Sequence, residues 1–563
     1  MISSSLQART ARGSICALLS SILTTGMALG IAALAMRAEA QMCDDAFVRT
    51  NSSAYEIDLQ TNPVNYDPLV KQAVARSLYP DFKMLTDLIP VEMTAAELQK
   101  LRHETADMRR RSGVDQAVHH WIRNRYRANS QLLPSASALV RPMWTLSVQS
   151  PHKATFDYIE RTWVKLVRRT PEITNSTLIP LPNPVLIPGA RFQEGYYWDS
   201  YFAVKALAST GRAKLVRGQI ENFLHLIERF GVVPNGGRTY YLTRSQPPLL
   251  SRMIRDYLES RGESLTNSDR VWLRDRVLPL LRKDYETFWM NSQTRYDAST
   301  GLNHHFDQLN TPRPERHAAD KENELGKTHR DVRAEAESGK DFTDAFEGEA
   351  TRVAPVLLNS VLHGVERDIA HFARLLGQAD VAREYDQRGD HRRVAMQRLM
   401  RDPQTGAYYD YHLGRRERVS ILTADAYAPI WMGVEAGSPS TLKLLNQRLL
   451  RPGGVMGSEV TSGKQWDAPY TWAPHVFIAV DAMNKAGMRQ AGTALSRNWV
   501  EMVDRVHAEK GVILEKYDAQ RASSPVETGD KYVTQEGFLW SNGVYITLLR
   551  DQLGVIPQRL GQQ

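Results

Sequence analysis

Long amphipathic helical stripes in the second half of the chain constrain its fold more than any other feature. Between residues 358 and 376, apolar side chains recur at spacings of three or four, and Gly377 marks the end of that helix. Strand-like alternation is nearly absent, so helical hairpins in series predict an all-α toroid rather than a βα barrel, with motif residues on the end loops. Further helix–turn–helix units recur near 421–450, 473–506 and 536–553.

The first forty residues have the pattern of a secretory signal peptide. Arg9 and Arg12 precede a long apolar run, and Ala38-Glu39-Ala40 has the form of a cleavage site, so the mature chain is predicted to begin at Gln41. The apolar run is long enough to span a bilayer, so a retained membrane anchor is the alternative. Cleavage leaves Cys43 as the last cysteine, and export without disulfides indicates a bacterial periplasm. We expect a monomer with no stable membrane association after cleavage.

The rest of the chain is expected to form one large domain. Residues 41–76 are predicted as an irregular lead-in, 77–555 as the helical barrel and 556–563 as a C-terminal tail. The net charge is +8, but no stripe of interleaved basic and aromatic residues is present, which argues against nucleic acid as a partner. The charged run that ends at Arg333 indicates a solvated helix or an excursion loop.

The stretch from Pro188 to Tyr201 concentrates aromatic and charged residues after an opening Pro-Gly turn. Aromatic rings cover the C–H faces of a sugar, and Arg191, Glu194 and Asp199 could bond its hydroxyls. The alternative is a structural loop whose aromatic residues belong to the core. Composition alone leaves both interpretations open.

Two signatures and several shorter motifs resemble the trehalase family of glycoside hydrolases. Pro188–Tyr201 matches the first family signature except at Ala190, and Gln465–Pro474 matches the second except at Thr471. The resemblance extends from about residue 78 to about residue 549. It also covers the motifs Asn235-Gly236, Arg244-Ser245-Gln246, Arg313-Pro314-Glu315, Glu515-Lys516-Tyr517-Asp518 and Gln535-Glu536-Gly537-Phe538.

The resemblance implies a barrel of six helical hairpins that hydrolyses α,α-trehalose to two glucose molecules, with inversion and without a metal or other cofactor. By motif, the general acid corresponds to Asp341 and the general base to Glu515. An inverting pair lies roughly 6.5–9.5 Å apart to admit a water molecule. The implied substrate-binding residues are Arg191, Trp198, Asp199, Asn235, Arg244, Ser245, Gln246, Arg313, Pro314, Glu315 and Gly339.

Three further positions, outside the two signatures, depart from the family pattern. Lys340 stands where a Trp precedes the acid, Ala345 replaces an Arg, and Lys531 stands where a substrate-contacting Glu is expected. An ammonium aimed at Asp341 would favour its ionised form, which opposes a general acid, whereas an outward Lys340 would only remove a shielding ring. Two alternatives to a trehalase therefore stay open. One is a weak or inactive trehalose-binding relative, and the other is a glycosidase of the same fold acting on another glucoside.

Overall fold

A computed structural model of the chain describes residues 67–79, 81–128, 141–173, 176–262, 265–316, 320, 327–526 and 533–560. The predicted signal peptide, Cys43 and Lys531 lie outside these residues. No helix in the described part of the chain is long and apolar enough to cross a membrane.

Helices make up most of the described structure. In chain order they are α1 (Pro68–Ala75), α2 (Phe82–Thr86), α3 (Ala95–Ser112), α4 (Val114–Arg125), α5 (Lys153–Thr162), α6 (Tyr197–Ser209), α7 (Ala213–Phe230), α8 (Leu250–Ser260), α9 (Asn267–Trp272), α10 (Leu278–Asp284), α11 (His329–Glu337), α12 (Val356–Leu375), α13 (Ala379–Leu399), α14 (Ala428–Trp431), α15 (Pro439–Leu449), α16 (Ala473–Lys485), α17 (Arg489–Lys510) and α18 (Leu539–Asp551). Short 3-10 turns cover Trp163–Lys165, Thr239–Tyr241, Pro314–Arg316, Ala350–Arg352 and Ala424–Tyr427, and π-helical segments cover Leu273–Val277 and Tyr285–Trp289.

The strands are short and lie in the connections between helices. They are β1 (Ile89–Pro90), β2 (Tyr126–Arg127), β3 (Trp144–Thr145), β4 (Val167–Arg168), β5 (Val185–Leu186), β6 (Tyr296–Asp297), β7 (Leu302–Asn303), β8 (Val353–Ala354), β9 (Tyr411–His412), β10 (Glu417–Arg418), β11 (Leu450–Arg451), β12 (Gly454–Val455), β13 (Tyr470–Trp472), β14 (Lys516–Asp518) and β15 (Gln558–Arg559). All pairings are antiparallel, and β8, β9 and β10 form a three-stranded sheet. The predicted C-terminal tail contributes β15, which pairs with β3.

Six helices form a closed inner ring. In chain order, α6, α8, α12, α14, α16 and α18 each pack against the next, and α18 packs in turn against α6. Barrel helices that alternate with them along the chain complete the hairpins; α7 contacts α6 and α8, and α17 contacts α16 and α18. The fold is therefore the all-α toroid of helical hairpins that the sequence predicts.

The inner-ring helix α18 and the outer helix α7 differ in how much of their surface is buried. Every residue from Leu539 to Leu549 of α18 is buried, because a ring helix has neighbours on all sides. Helix α7 instead buries one stripe, as its periodicity predicts, and leaves its other side chains partly buried or exposed. The buried stripe contains Val216, Ile220, Phe223, Leu224 and Ile227.

The ring closes where α18 crosses α6. A Cβ atom on Gly543 would lie 2.4 Å from the carbonyl oxygen of Phe202 and 2.5 Å from the Cα atom of Ala203. Only glycine permits so close an approach of two helix backbones. The crossing brings Trp540, at the start of α18, to a ring-centroid distance of 6.0 Å from Trp198, in the first turn of α6.

Helices α1 to α4 share a small hydrophobic core of their own. The Asp67 side chain accepts hydrogen bonds from the first backbone N–H groups of α1, and Pro68 occupies the first helical position. The prediction of an irregular lead-in over 41–76 is therefore wrong for Pro68–Ala75, while 41–66 lies outside the described residues. On another side of this region, α2 packs against the Pro314–Arg316 turn, where Thr86 Oγ1 donates to the Pro314 carbonyl at 2.9 Å.

The charged run that ends at Arg333 is partly buried where the structure describes it. Helix α11 buries most of its charged side chains, including Arg333 and Glu337. The Arg333 guanidinium donates to the Thr311 carbonyl at 2.6 Å and to Asp307 Oδ2 at 3.2 Å. Such pairing compensates the lost hydration of a buried charge. The prediction of a solvated segment is therefore wrong for Asp331 and Arg333.

Candidate active site

A cleft of about 760 Å³, partly open to solvent, lies at the N-terminal ends of inner-ring helices. Its walls are the loops that lead into α6, α8, α16 and α18, together with segments around 313–316, 339–342 and 515. Carboxylates, arginines, amides and aromatic rings face one enclosed space. This mixture suits a neutral, hydroxyl-rich ligand.

The cleft brings together most of the site residues that the sequence predicts. The lining includes Arg191, Trp198, Asp199, Asn235, Arg244, Gln246, Arg313, Glu315, Gly339, Asp341 and Glu515. Ser245 and Pro314 do not line it. Ser245 is buried behind the wall, where its N–H donates to Glu337 Oε2 at 3.0 Å.

The loop from Asn235 to Gln246 fixes the start of α6. The Trp198 N–H donates to Gln246 Oε1 at 3.1 Å, and the Tyr197 N–H donates to the Asn235 carbonyl at 3.3 Å. These bonds satisfy N–H groups that a helix start leaves without intrahelical partners. The loop thereby holds Trp198 and Asp199 in the cleft wall.

Each of the three predicted arginines is paired with carboxylates. Arg191 Nη2 lies 3.1 Å from Asp81 Oδ1. Arg244, which is fully buried, contacts Glu315 Oε1 at 2.5 Å and Asp307 Oδ2 at 3.4 Å. Their positions are thus set by charge pairs within the protein, which leaves little rotamer freedom to lose on binding a sugar.

Arg313 joins the site to a neighbouring segment. Its guanidinium forms a forked contact with Asp320, at 2.8 and 3.1 Å, and its Nη1 lies 3.4 Å from Asp341 Oδ2. The forked pair fixes the plane of the guanidinium. Arg313 therefore meets Asp341 from a fixed direction.

Four tryptophans form an aromatic wall: Trp198, Trp466, Trp472 and Trp540. Trp466 and Trp472 stack with ring centroids 3.9 Å apart and planes 5° apart. A Cβ atom on Gly339, whose φ is 76°, would lie 2.7 Å from the Trp198 ring. The acid-bearing turn, residues 338–344, is named for the Asp341 carboxyl that it carries. It can approach this wall only because residue 339 is glycine.

Asp341, the carboxyl that the resemblance assigns as general acid, lies on the turn after α11. Glu335 Oε1 holds this turn by accepting from the N–H groups of Phe342 and Thr343, at 2.7 and 3.2 Å. The Asp341 side chain is 34% exposed, and Phe342 lies beside it in the cleft lining. Asp341 is thus both anchored through its backbone and open to a ligand.

Glu515, the carboxyl assigned as general base, directly precedes β14. Its side chain is buried, and its Oε1 accepts from the Gln535 N–H at 2.8 Å. Its own backbone is held on both sides, because its N–H donates to the Gln535 carbonyl at 3.0 Å and Trp540 Nε1 donates to its carbonyl at 2.9 Å. These contacts with the 535–540 segment fix the orientation of Glu515 in the cleft wall.

Asp199 has a strongly perturbed carboxyl within the cleft lining. Burial raises its pKa from 3.8 to about 8, and the nearby charges of Glu515 and Asp341 act in the same direction. Near pH 7 its carboxyl is therefore mostly protonated in the free protein. In that form it can donate a hydrogen bond as well as accept one.

Glu194 does not take part in the cleft, although its position in the first signature predicts a bond to sugar hydroxyls. It is fully buried, with Lys83 Nζ at 2.6 Å from Oε1 and Arg238 Nε at 3.3 Å from Oε2. Burial alone would raise the pKa of Glu194, but these two cations hold it below its ordinary value. The carboxylate is therefore a structural charge behind the wall, and Lys83 rather than Glu194 reaches the lining.

Lys340 points away from the cleft. Its ammonium forms a buried ion pair with Asp425, and it also lies 5.6 Å from the centroid of the Phe346 ring. Ala345 is buried and outside the lining as well. Lys340 and Ala345 thus change what lies behind the acid-bearing turn rather than the cleft surface.

Several lining residues are absent from the predicted site, among them Lys83, Tyr241, Arg316, Gln465 and Trp540. Gln465 stands in the second signature, so its motif was an available signal. Lys83 and Arg316 come from segments whose proximity depends on the packing of α2 against the Pro314–Arg316 turn. No three His, Cys, Asp or Glu side chains in the described ranges are grouped as metal ligands.

Comparison with known proteins identifies similar sequences and folds. A family model described as Trehalase matches residues 74–552. Neutral trehalase Nth1 from Saccharomyces cerevisiae is 27% identical, with a TM-score of 0.58 over 66% of this chain and 76% of that chain. A GH63 mannosylglycerate hydrolase from Thermus thermophilus, solved with glucose, shares the fold at 14% identity and a TM-score of 0.50, over 69% of this chain and 98% of that chain.

The protonated state of Asp199 predicts a pH-dependent effect of the Asp199→Asn substitution on stability. The unfolded carboxyl ionises near 3.8 and the folded one near 8. The contribution of the protonated carboxyl to the free energy of unfolding is therefore complete below pH 3.8. Between pH 3.8 and about 8 it falls by about 1.4 kcal/mol per pH unit. From pH 5 to pH 7, urea denaturation should show the free energy of unfolding of the Asp199→Asn protein rising by about 3 kcal/mol relative to wild type.

The exposed Asp344 provides the matched control for this measurement. Its side chain is 43% exposed and lies outside the cleft lining. The Asp344→Asn protein should keep a nearly constant difference from wild type over the same pH interval. An equally constant difference for Asp199→Asn would contradict a protonated Asp199.

The buried pair of Lys340 and Asp425 predicts a large loss of stability on Lys340→Met. Removal of the ammonium leaves a buried carboxylate without its counter-charge, which costs about 3–5 kcal/mol of unfolding free energy. The double variant Lys340→Met, Asp425→Asn should recover most of that loss, as measured by urea denaturation. As a control, Lys464→Met removes a partly exposed ion pair with Asp344 and should cost at most about 1 kcal/mol. Equal losses for the two lysine variants would refute the buried pair.

Proposed function

The chain belongs to the trehalase family of glycoside hydrolases, and on this premise we propose that it hydrolyses α,α-trehalose to two glucose molecules with inversion. One observation carries the proposal beyond the family. Asp341 and Glu515, far apart in sequence, line the same cleft as the arginines, amides and aromatic rings that suit a disaccharide. Two carboxyls on separate segments of one cleft meet the requirement that glycosidases of either stereochemical class share, and inversion is proposed from the family resemblance.

In the proposed reaction, Asp341 is the general acid and Glu515 is the general base. Asp341 gives its proton to the oxygen that links the two sugars as the bond from that oxygen to the attacked anomeric carbon breaks. Glu515 takes a proton from a water molecule, whose oxygen forms the new bond on the opposite face of the ring. The sum is trehalose plus water giving two glucose molecules, and the two carboxyls together neither gain nor lose a proton.

The remaining lining residues are proposed to bind the two sugar rings. Arg244 and Arg313 are already paired with carboxylates, so they can direct further N–H groups at hydroxyls without leaving a bare charge facing a neutral ligand. Asn235 and Gln246 can bond hydroxyls by donating or accepting. Trp198 lines the cleft but is almost fully buried, so it offers only a small apolar surface for a C–H face of glucose.

The proposed function predicts rapid glucose release from trehalose and near loss of it in two variants. Asp341→Asn and Glu515→Gln each remove one proton-transfer group, so kcat should fall by about 10²–10⁴-fold. Inversion further predicts equal initial amounts of β-glucose, from the attacked ring, and α-glucose, from the leaving ring, which ¹H NMR distinguishes before mutarotation. An initial product that is only α-glucose would exclude inversion.

Two neighbouring carboxylates outside the cleft lining serve as controls. Asp344→Asn changes a side chain on the acid-bearing turn, and Glu509→Gln changes an exposed side chain on α17. Both proteins should keep wild-type kcat. Saturable trehalose binding without glucose release by wild type would favour the inactive sugar-binding relative, and release only from another glucoside would favour a different specificity.

We further propose that the protein works as a monomer in the bacterial periplasm. Support for the location comes from the first forty residues, which carry the pattern of a cleaved signal peptide. Expression in a Gram-negative host should place the protein in the periplasmic fraction, with Gln41 as its first residue by N-terminal sequencing. An intact N-terminus in the membrane fraction would instead establish the retained anchor.

A further inference from the structure

The segment Gln465-Trp466-Asp467 lies beside the acid-bearing turn, and each of its three residues forms hydrogen bonds with the turn. Gln465 Nε2 donates to the carbonyl oxygen of Asp341 at 3.2 Å, and the Trp466 N–H donates to the carbonyl of Phe342 at 3.3 Å. The next residue, Asp467, accepts from Thr343 Oγ1 and from the Asp344 N–H, both at 2.8 Å. Three consecutive residues thus hold four consecutive residues of the turn.

The same Gln465 side chain also reaches the strand that carries the proposed base. Its Oε1 accepts from Lys516 Nζ at 3.1 Å, and Lys516 is joined to Glu515 by a peptide bond. Lys516 is buried, with its ammonium 5.0 Å from the Tyr470 ring centroid and 5.4 Å from that of Trp472. The Lys516 end of the contact is therefore confined.

Chemistry fixes the orientation of the Gln465 amide. The NH₂ group faces a carbonyl oxygen and the amide oxygen faces an ammonium, and the reverse assignment would oppose two acceptors and two donors. The backbone of Gln465 is held as well, since Trp472 Nε1 donates to its carbonyl at 2.9 Å. Trp472 in turn pairs with Lys516 across strands β13 and β14.

We propose that Gln465 is a positioning residue that sets the distance between the general acid and the general base. The inference rests on the proposed function, in which a water molecule must fit between Asp341 and Glu515 and an ångström of misplacement costs about 10²-fold in rate. Gln465 is 4% exposed, so little water competes for its two bonds. One amide thereby joins two segments that are otherwise distant along the chain.

Two variants separate the two contacts of Gln465. Gln465→Met keeps the length of the side chain but removes both hydrogen bonds. Gln465→Glu keeps an acceptor for Lys516 but replaces the donor facing the Asp341 carbonyl with an oxygen, so it disturbs chiefly the acid side. The control is Gln520→Met, the same change at an exposed glutamine outside the cleft lining.

Two substrates distinguish a displaced acid from a displaced base. Trehalose needs a proton on its leaving oxygen, whereas α-glucosyl fluoride releases fluoride without that proton but still needs an activated water. With purified full-length protein and rates per folded molecule, Gln465→Met should lower kcat for trehalose by about 10–100-fold with KM within about threefold. Gln465→Glu should lower kcat for trehalose at least about tenfold more than kcat for the fluoride, and Gln520→Met should match wild type.

The outcomes discriminate between the inference and the proposed function. Wild-type protein that does not hydrolyse trehalose would overturn the proposed function and this inference with it. Active wild type with an unchanged kcat in Gln465→Met would overturn the inference alone. Equal losses on both substrates in Gln465→Glu would also overturn it, because a purely structural defect lowers both rates alike. If Gln465→Met fails to fold, the substrate ratio of Gln465→Glu still decides the question.

Discussion

Buried ion pairs hold the walls of the cleft in place. Arg244 joins the loop after α7 to Asp307 and Glu315, and Lys83 joins α2 to the first signature through Glu194. Each contact links segments that the chain order keeps apart. A buried ion pair adds little net stability over an apolar contact, but the loss of one partner is costly. We therefore expect these pairs to favour one arrangement of the cleft walls rather than to raise the stability of the whole fold. The cleft thus derives its shape from electrostatic matching within a mostly apolar barrel.

The sequence contained enough information to predict the helical ring but not the partners of its buried charges. Apolar periodicity is a local property, so the buried stripe of α7 and the hairpin series could be derived from spacing alone. The partner of Lys340 is Asp425, which no local pattern connects to it. The same limit explains the error at Arg333, because a charged helix looks solvated until its carboxylate partner, Asp307, is known. Burial of a charge is a tertiary property.

The signatures predicted which residues lie in or near the cleft better than the role of each residue there. Most of the predicted residues line it, yet Glu194 belongs to a buried ion cluster and Ser245 to the layer behind the wall. The second signature also does more than supply aromatic rings, since Gln465 and Asp467 bond to the acid-bearing turn. A linear motif indicates which residues occur together. It does not distinguish a residue that contacts the ligand from one that supports a neighbouring residue, because that distinction requires coordinates. Ala190 shows that a departure from the signature need not change the backbone. Its φ of 49° lies in the left-handed region, which glycine, the residue of the family signature at this position, adopts readily.

The glycine crossing of α18 over α6 has a consequence for how the chain is made. The first and last helices of the inner ring meet there, so the toroid stays an open arc until the ribosome has released nearly the whole polypeptide. During synthesis, α6 carries an apolar face whose final neighbour does not yet exist, and only chaperones or early non-native collapse can cover it. We expect closure to come late in folding, because this long-range contact completes the barrel and, through Trp540, the support of Glu515. The proposed export of an unfolded chain across a membrane is compatible with such an order, since the ring cannot close before its last helix is present.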